Sequence, residues 1–138
     1  MKVLSLESEL DYDFKLIGVC CHMKDYRLCW EVNRSLSISL KREENYTLYS
    51  KDSTERTFPF FEFEDKENGV DYYLMKNRGT SGMIIPEEGK ADYLLLLKGK
   101  VEKDLMTTIC KKLQKVDVIL TVYPIIVDSL KSKNNLIF

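Results

Sequence analysis

The residues of this chain with the strongest claim to chemistry lie close together: Cys20, Cys21 and His22 in succession, with Cys29 seven residues further on. Thiols and an imidazole in such company suggest a metal site, or a cysteine nucleophile served by a histidine base. The spacing speaks against the metal. Adjacent residues on a strand point to opposite faces, so Cys20 and Cys21 do not readily hold one ion, and no C-x-x-C or H-x-x-x-H pattern occurs. No metal and no cofactor is expected. Any Ser-His-Asp or Cys-His system would have to use His22, the one histidine, and the chain has no G-x-S-x-G elbow.

Two further groups are weaker. Arg78-Gly79-Thr80-Ser81-Gly82 offers amides and a cation to an anion, but it lacks the spacing and the lysine of a phosphate loop and reads as a turn. Carboxylates are plentiful at Glu62, Glu64, Asp65, Glu87, Glu88 and Asp92. Acid-base catalysis needs two of them in one cleft with displaced pKa values, and no pair is singled out.

More specific is the segment from Tyr26 onwards. At about 100° per residue, positions 26, 28, 29, 30, 32, 33 and 36 share one continuous arc of a helix, all apolar or aromatic except Asn33. A carboxamide in such an arc either bonds backbone or another side chain, or joins Tyr26 and Trp30 in lining a pocket that orients a ligand. Arg27 and Glu31 share the opposite side at pairing distance.

These residues must be positioned by elements that the pattern also reveals. Phe14–Cys21 is apolar on both alternating faces after Lys15, as in a central strand covered on both sides. Asp25 caps a helix over 26–36. A strand follows over Ser37–Tyr49, then a surface loop over 51–57. The segments Phe58–Glu64 and Val70–Lys76 flank Asn68-Gly69, residues that tolerate positive φ, and form a hairpin, with Pro59 at a strand start or on an edge. An irregular loop over Arg78–Gly89 leads to a buried strand over Asp92–Lys98. Leu105, Ile109, Leu113 and Val116 mark a second helix over 102–115. Val118–Tyr123 reads as a third buried strand stopped by Pro124, and the apolar tail Leu136-Ile137-Phe138 as docked onto its own domain, with a dimer contact as the alternative. The order strand, helix, strand, hairpin, strand, helix, strand predicts an α+β fold, a largely antiparallel sheet of five to six strands with two main helices packed on one face.

The size, 138 residues, fits one domain over 1–138, and 44% hydrophobic against 31% charged residues is a globular balance. The longest apolar run, Tyr93–Leu97, is far short of a membrane span, and the N-terminus meets Glu7 before a signal sequence develops, so no membrane association and a cytoplasmic location are expected. Four cysteines without disulfide-module spacing agree with a reducing compartment. With 21 basic and 22 acidic residues the chain has no positive excess for a phosphate backbone, so nucleic acid is not an expected partner. The charge is nonetheless uneven: residues 43–71 hold nine acids and three bases, and 98–138 eight lysines and four acids; these read first as solvated surfaces with weak mutual effects, the alternative being self-association between unlike faces.

Ile85-Pro86-Glu87-Glu88-Gly89-Lys90-Ala91-Asp92-Tyr93 resembles the motif that names the bacterial IPExxVDY family, with three residues between Glu87 and Ala91 and with Ala91 at the valine position. Lys24–Asn33 and Leu130–Leu136 are similar to other segments of that family, so the likeness runs over nearly the whole chain. It implies a small bacterial protein of unknown function and carries over no catalytic residue. Physically, Pro86 fixes the approach to a strand, Glu87 faces solvent or a partner, Asp92 anchors a turn and Tyr93 begins the apolar run; a role in folding accounts for all four.

Two functions follow as expectations. The first is a non-enzymatic binding or interaction domain, acting as a homodimer or on a protein or peptide partner. The second is a small-molecule or enzymatic site lined by the first helix and the 78–93 loop, through Tyr26, Trp30, Asn33, Arg78 and Glu87.

Overall fold

A computed structural model describes residues 14–49, 52, 54–79 and 82–136. The apolar runs become the middle of a six-stranded antiparallel sheet, in the order β2-β5-β6-β7-β1-β8. Its strands are β1 (Phe14–Cys21), β2 (Lys41–Arg42), β5 (Phe60–Asp65), β6 (Val70–Lys76), β7 (Tyr93–Gly99) and β8 (Ile119–Ile125); β3 (Tyr46–Tyr49) and β4 (Glu55–Phe58) pair separately. Two helices, α1 (Asp25–Leu36) and α2 (Lys103–Gln114), complete the α+β architecture.

The middle of the sheet is buried on both sides, which is why Leu16–Cys21 of β1 and Tyr93–Leu97 of β7 run without a charged side chain rather than alternating. On one side Ile17, Val19, Tyr93, Leu95 and Leu97 pack against Leu28, Cys29 and Val32 of α1 and Ile109 and Leu113 of α2. On the other, Leu16, Leu94, Leu96 and Met75 are covered by Phe58 of β4, by Ile84, Ile85 and Ala91, and by Val127, Leu130 and Leu136. The helices thus share one face, and the small hairpin, the loop after β6 and the C-terminal segment close the other. Leu136 is fully buried there; Ile137 and Phe138, the rest of the expected tail, lie outside the described residues, as do residues 1–13 with the N-terminal reading.

Several boundaries differ from the sequence reading, each for a local reason. Helix α1 starts at Asp25 itself, whose carboxylate accepts the neighbouring Tyr26 N–H at 2.8 Å while Lys24 occupies the cap position. The strand expected over 37–49 is broken into β2 and β3, because Ser37 ends α1 in the left-handed region (φ 55) and residues up to Leu40 cross the helix end before pairing begins. Part of the expected 51–57 loop is β4, paired with β3 from Tyr46–Phe58 to Tyr49–Glu55. Pro59, without an N–H, divides β4 from β5, so the expected 58–64 strand serves two sheets. Finally, Val118–Tyr123 is no buried strand: β8 is an edge, Leu120 is exposed, and the strand runs through Pro124, which sits opposite Ile17. An edge strand tolerates proline when the missing donor points away from the ladder.

The β5–β6 hairpin forms as expected, closing from Asp65–Val70 with Gly69 at φ 71. At its base the register between β6 and β7 ends on Val70 opposite Gly99.

Candidate functional site

The 78–93 segment and the first helix meet at the turn that carries the chain from β1 into α1. Asp92 accepts the Cys21 N–H at 2.9 Å through Oδ2, and the buried Tyr93 hydroxyl donates to the Met23 carbonyl at 2.6 Å. Arg78 donates to the Gly89 carbonyl at 2.8 Å and places its Nε 3.9 Å from the other Asp92 oxygen. The Ala-Asp-Tyr end of the motif therefore clamps residues 21–23, which set the direction of α1. Burial pushes the Tyr93 hydroxyl well above the ordinary tyrosine range, so it stays a proton donor to that carbonyl.

The rest of the motif is organised by a residue that the sequence reading missed. Asn77, at the end of β6, has no exposed surface and is the buried polar side chain among the described residues. Its Nδ2 donates to the carbonyls of Ile85 (3.3 Å), Glu88 (3.1 Å) and Ala91 (3.0 Å), and its Oδ1 accepts the Ile85 N–H at 2.8 Å. One carboxamide thereby satisfies polar backbone at Ile85, Glu88 and Ala91, where a single 3-10 turn over Pro86–Glu88 supplies the other local bonds. Nothing local in the sequence marks it, since its partners lie 8 to 14 residues away.

Glu88 and Glu87 point to different neighbours. Glu88 accepts the Tyr123 hydroxyl at 2.8 Å, while Lys90 sits 4.7 Å from the centre of that ring. The ring itself lies over Gly18, where a Cβ would come within 2.7 Å of it. Glu87 accepts the Ser132 N–H at 2.8 Å and so holds the C-terminal segment. Slight burial opposes ionisation of Glu87, but the amides of Glu87, Ser132 and Lys131 and the Ser132 hydroxyl outweigh it and draw the pKa below the usual carboxylate value of 4.5. A lowered carboxylate pKa contributes stability above its unfolded value and loses it as the pH falls through the folded one. Hydrogen exchange at the Ser132 amide is therefore expected to speed up as the pH falls below about 4.5 relative to the sheet amides, and Glu87→Gln should already show faster exchange at neutral pH.

On α1, Asn33 bonds backbone: Nδ2 donates to the Leu40 carbonyl at 3.1 Å and Oδ1 accepts the Leu40 N–H at 2.8 Å, tying the helix to the chain that leaves it. Cys29 packs beside it, and burial, with lesser help from Asp25, raises its thiol pKa to about 11, so it is no thiolate at neutral pH. Cys20 points the other way and donates to the Lys90 carbonyl at 3.1 Å.

Tyr26 and Trp30 are placed quite differently. Of the apolar arc, Leu28, Cys29 and Val32 are buried in the core and Leu36 packs against it; Tyr26 is 66% and Trp30 54% exposed, with Met23 at 43% just before the helix. The Arg34 guanidinium lies 5.4 Å and that of Arg27 5.9 Å from the indole centre, and Arg27 is also bridged to Glu31 at 3.0 Å. Of the five candidate residues, Tyr26 and Trp30 share an outer stripe, whereas Asn33, Arg78 and Glu87 each bond backbone at a separate place. The Arg78–Gly82 turn closes with the Gly79 N–H on the Gly82 carbonyl at 2.7 Å; its Thr80 and Ser81 lie outside the described residues.

No helix among the described residues is long and apolar enough to cross a membrane. Comparison of the sequence with models of known protein families gives no match, and comparison with curated proteins gives none either.

Proposed function

We propose that this chain is a non-enzymatic protein-interaction domain of the cytoplasm, and that it engages its partner through the outer stripe of α1. The observation that carries this reading is the exposure of Tyr26 and Trp30 on a helix whose other side is firmly buried, with Met23 also exposed just before it. Folding gains nothing from leaving an indole and a phenol in water, and Trp, Tyr, Met and Arg are the residues enriched at protein interfaces. The polar groups of the IPExxVDY-like segment support it from behind: Asp92 and Tyr93 fix the lead-in to the helix and Asn77 fixes the loop, so their chemistry is spent on architecture. On this reading, membership of that bacterial family is a proposal resting on residues 85–93, and the motif is a structural one. The free cysteines, three buried and Cys110 half-buried, are in keeping with a reducing compartment.

The test is a double variant. Tyr26→Ser with Trp30→Ser removes apolar surface that is already exposed, so its thermal midpoint should stay within about 2 °C of the parent. In native extracts the parent chain should run in a complex larger than its own mass, and the double variant at its own mass. A variant that keeps the parent's complex contradicts the proposal.

A further inference from the structure

Arg34 belongs to two surfaces. Besides its contact with Trp30, it lines an open groove of about 430 Å³ between the C-terminal ends of α1 and α2, together with Glu31, Ser35, Lys112, Lys115 and Asp117. The Ser35 hydroxyl donates to the Lys112 carbonyl at 3.3 Å and joins the two walls. Glu31 is engaged by Arg27. Among the described residues, Arg34, Lys112 and Lys115 have no carboxylate within ion-pair distance, so of the groove's two carboxylates Glu31 is taken by Arg27 from outside it and Asp117 alone stands against three unpaired cations. The chain as a whole, with 21 basic and 22 acidic residues, is not positive, which makes this a local concentration.

Following the helix surface, Tyr26, Trp30 and Arg34 succeed one another at intervals of four, so the aromatic stripe leads directly into the groove. We infer that the groove and the stripe together bind an acidic peptide segment of a partner protein, its carboxylates on Arg34, Lys112 and Lys115 and its apolar side chains along Tyr26 and Trp30. This rests on the reading of α1 as an interaction surface and adds the partner's chemistry. Arg34 is held by the indole, so its guanidinium is partly ordered before a carboxylate arrives. A nucleotide or a single-stranded nucleic acid suits the site less well. Successive bases need several free aromatic faces to stack on, and with two guanidiniums already over the indole only the Tyr26 ring of the stripe is open to them, whereas apolar side chains can also pack along the indole edge. The volume is in the range of ligand sites, and the groove is open to solvent, as binding a segment of a larger chain requires.

The experiment titrates the purified full chain with a glutamate-rich peptide containing leucine, following the fluorescence of Trp30, the chain's single tryptophan, with calorimetry as a second readout. Saturable binding is expected, weakening several-fold as salt is raised from low to physiological levels. The triple variant Arg34→Glu, Lys112→Glu, Lys115→Glu, all at exposed positions and checked for a parent-like circular dichroism spectrum, should bind at least about tenfold more weakly. The inference is overturned by absence of binding in both readouts, by equal binding of a lysine-rich peptide, or by tighter binding of ATP or an oligonucleotide, which would make the groove a phosphate site. It is also overturned if the Trp30 signal follows the chain's own concentration without peptide, which would make a second copy the occupant. Failure here alongside loss of the native complex in the Tyr26, Trp30 double variant would remove the acidic partner and leave the interaction surface standing.

Discussion

Gly99→Ala should cost roughly 3 kcal/mol of stability, and with it about 10 °C of thermal midpoint, although the change adds a single methyl group. Gly99 ends β7 with φ at 100°, a conformation that side chains rarely adopt, and a Cβ built there would stand 2.2 Å from the Gly69 carbonyl oxygen. That oxygen belongs to backbone and cannot swing aside, because it accepts the Lys100 N–H at 2.9 Å. Relief must come from opening the β6–β7 ladder at its Val70–Gly99 end, next to the β5–β6 hairpin. Gly69 provides the control: it too has positive φ, 71°, but its nearest neighbour is the flexible Lys100 side chain. Gly69→Asn, a residue that accepts the left-handed region, should therefore cost well under about 1 kcal/mol. Thermal unfolding of the two variants beside the parent checks the contrast.

Asn77→Leu should be comparably severe, about 3 kcal/mol, despite keeping the number and branching of side-chain heavy atoms and adding apolar surface to a buried site. The Ile85 N–H loses its acceptor within a fully buried stretch, and the carbonyls of Ile85, Glu88 and Ala91 each lose a donor. The Ile85 and Glu88 carbonyls retain partners in the Glu88 and Ala91 N–H groups, which is why the cost falls short of four orphaned groups. Asn77→Asp separates the two halves of the carboxamide: it keeps the acceptor for Ile85 but turns a carboxylate oxygen toward three carbonyls. A buried acid among carbonyls has its folded pKa raised, so the loss of stability should grow as the pH rises above the unfolded value of about 4. Chemical denaturation of both variants at acid and neutral pH reads this directly. Hydrogen exchange at Ile85 and Ala91 shows whether the damage begins in the loop.

How far the sequence announces this structure depends on how local the cause is. Leu94 to Leu97 and Ile17 to Val19 speak for themselves, since a strand apolar on both faces must lie between two layers, and it does. Leu105, Ile109 and Leu113 likewise specify α2 by spacing, and Asn68-Gly69 specifies the hairpin through a φ that it then adopts. Strand β8 was misleading because Val118–Tyr123 has the composition of a buried strand, while its edge position is set by where the chain arrives after α2. The division at Pro59 depends on β3 being available to pair with β4, a matter of tertiary arrangement. Asn33 had two readings open, a satisfied polar group or a pocket residue, and the distance to Leu40 shows it bonded to backbone. Asn77 reads as one more polar residue at the end of a strand, and its role exists only once residues 85–91 fold around it. The exposure of Tyr26 and Trp30 is the least legible feature of all: helical periodicity places them on the margin of the apolar arc, and tertiary packing decides which side of the margin is wet.

The central claim is that this wet margin is covered by another protein when the chain is at work. A photocrosslinking residue in place of Trp30, with a second chain carrying it at the comparably exposed Tyr49 on β3, addresses that claim in the intact cell. A discrete adduct of one added polypeptide is expected from position 30 and none from position 49. Irradiation that leaves the position 30 chain uncrosslinked, or that gives the same adducts from both positions, would contradict it.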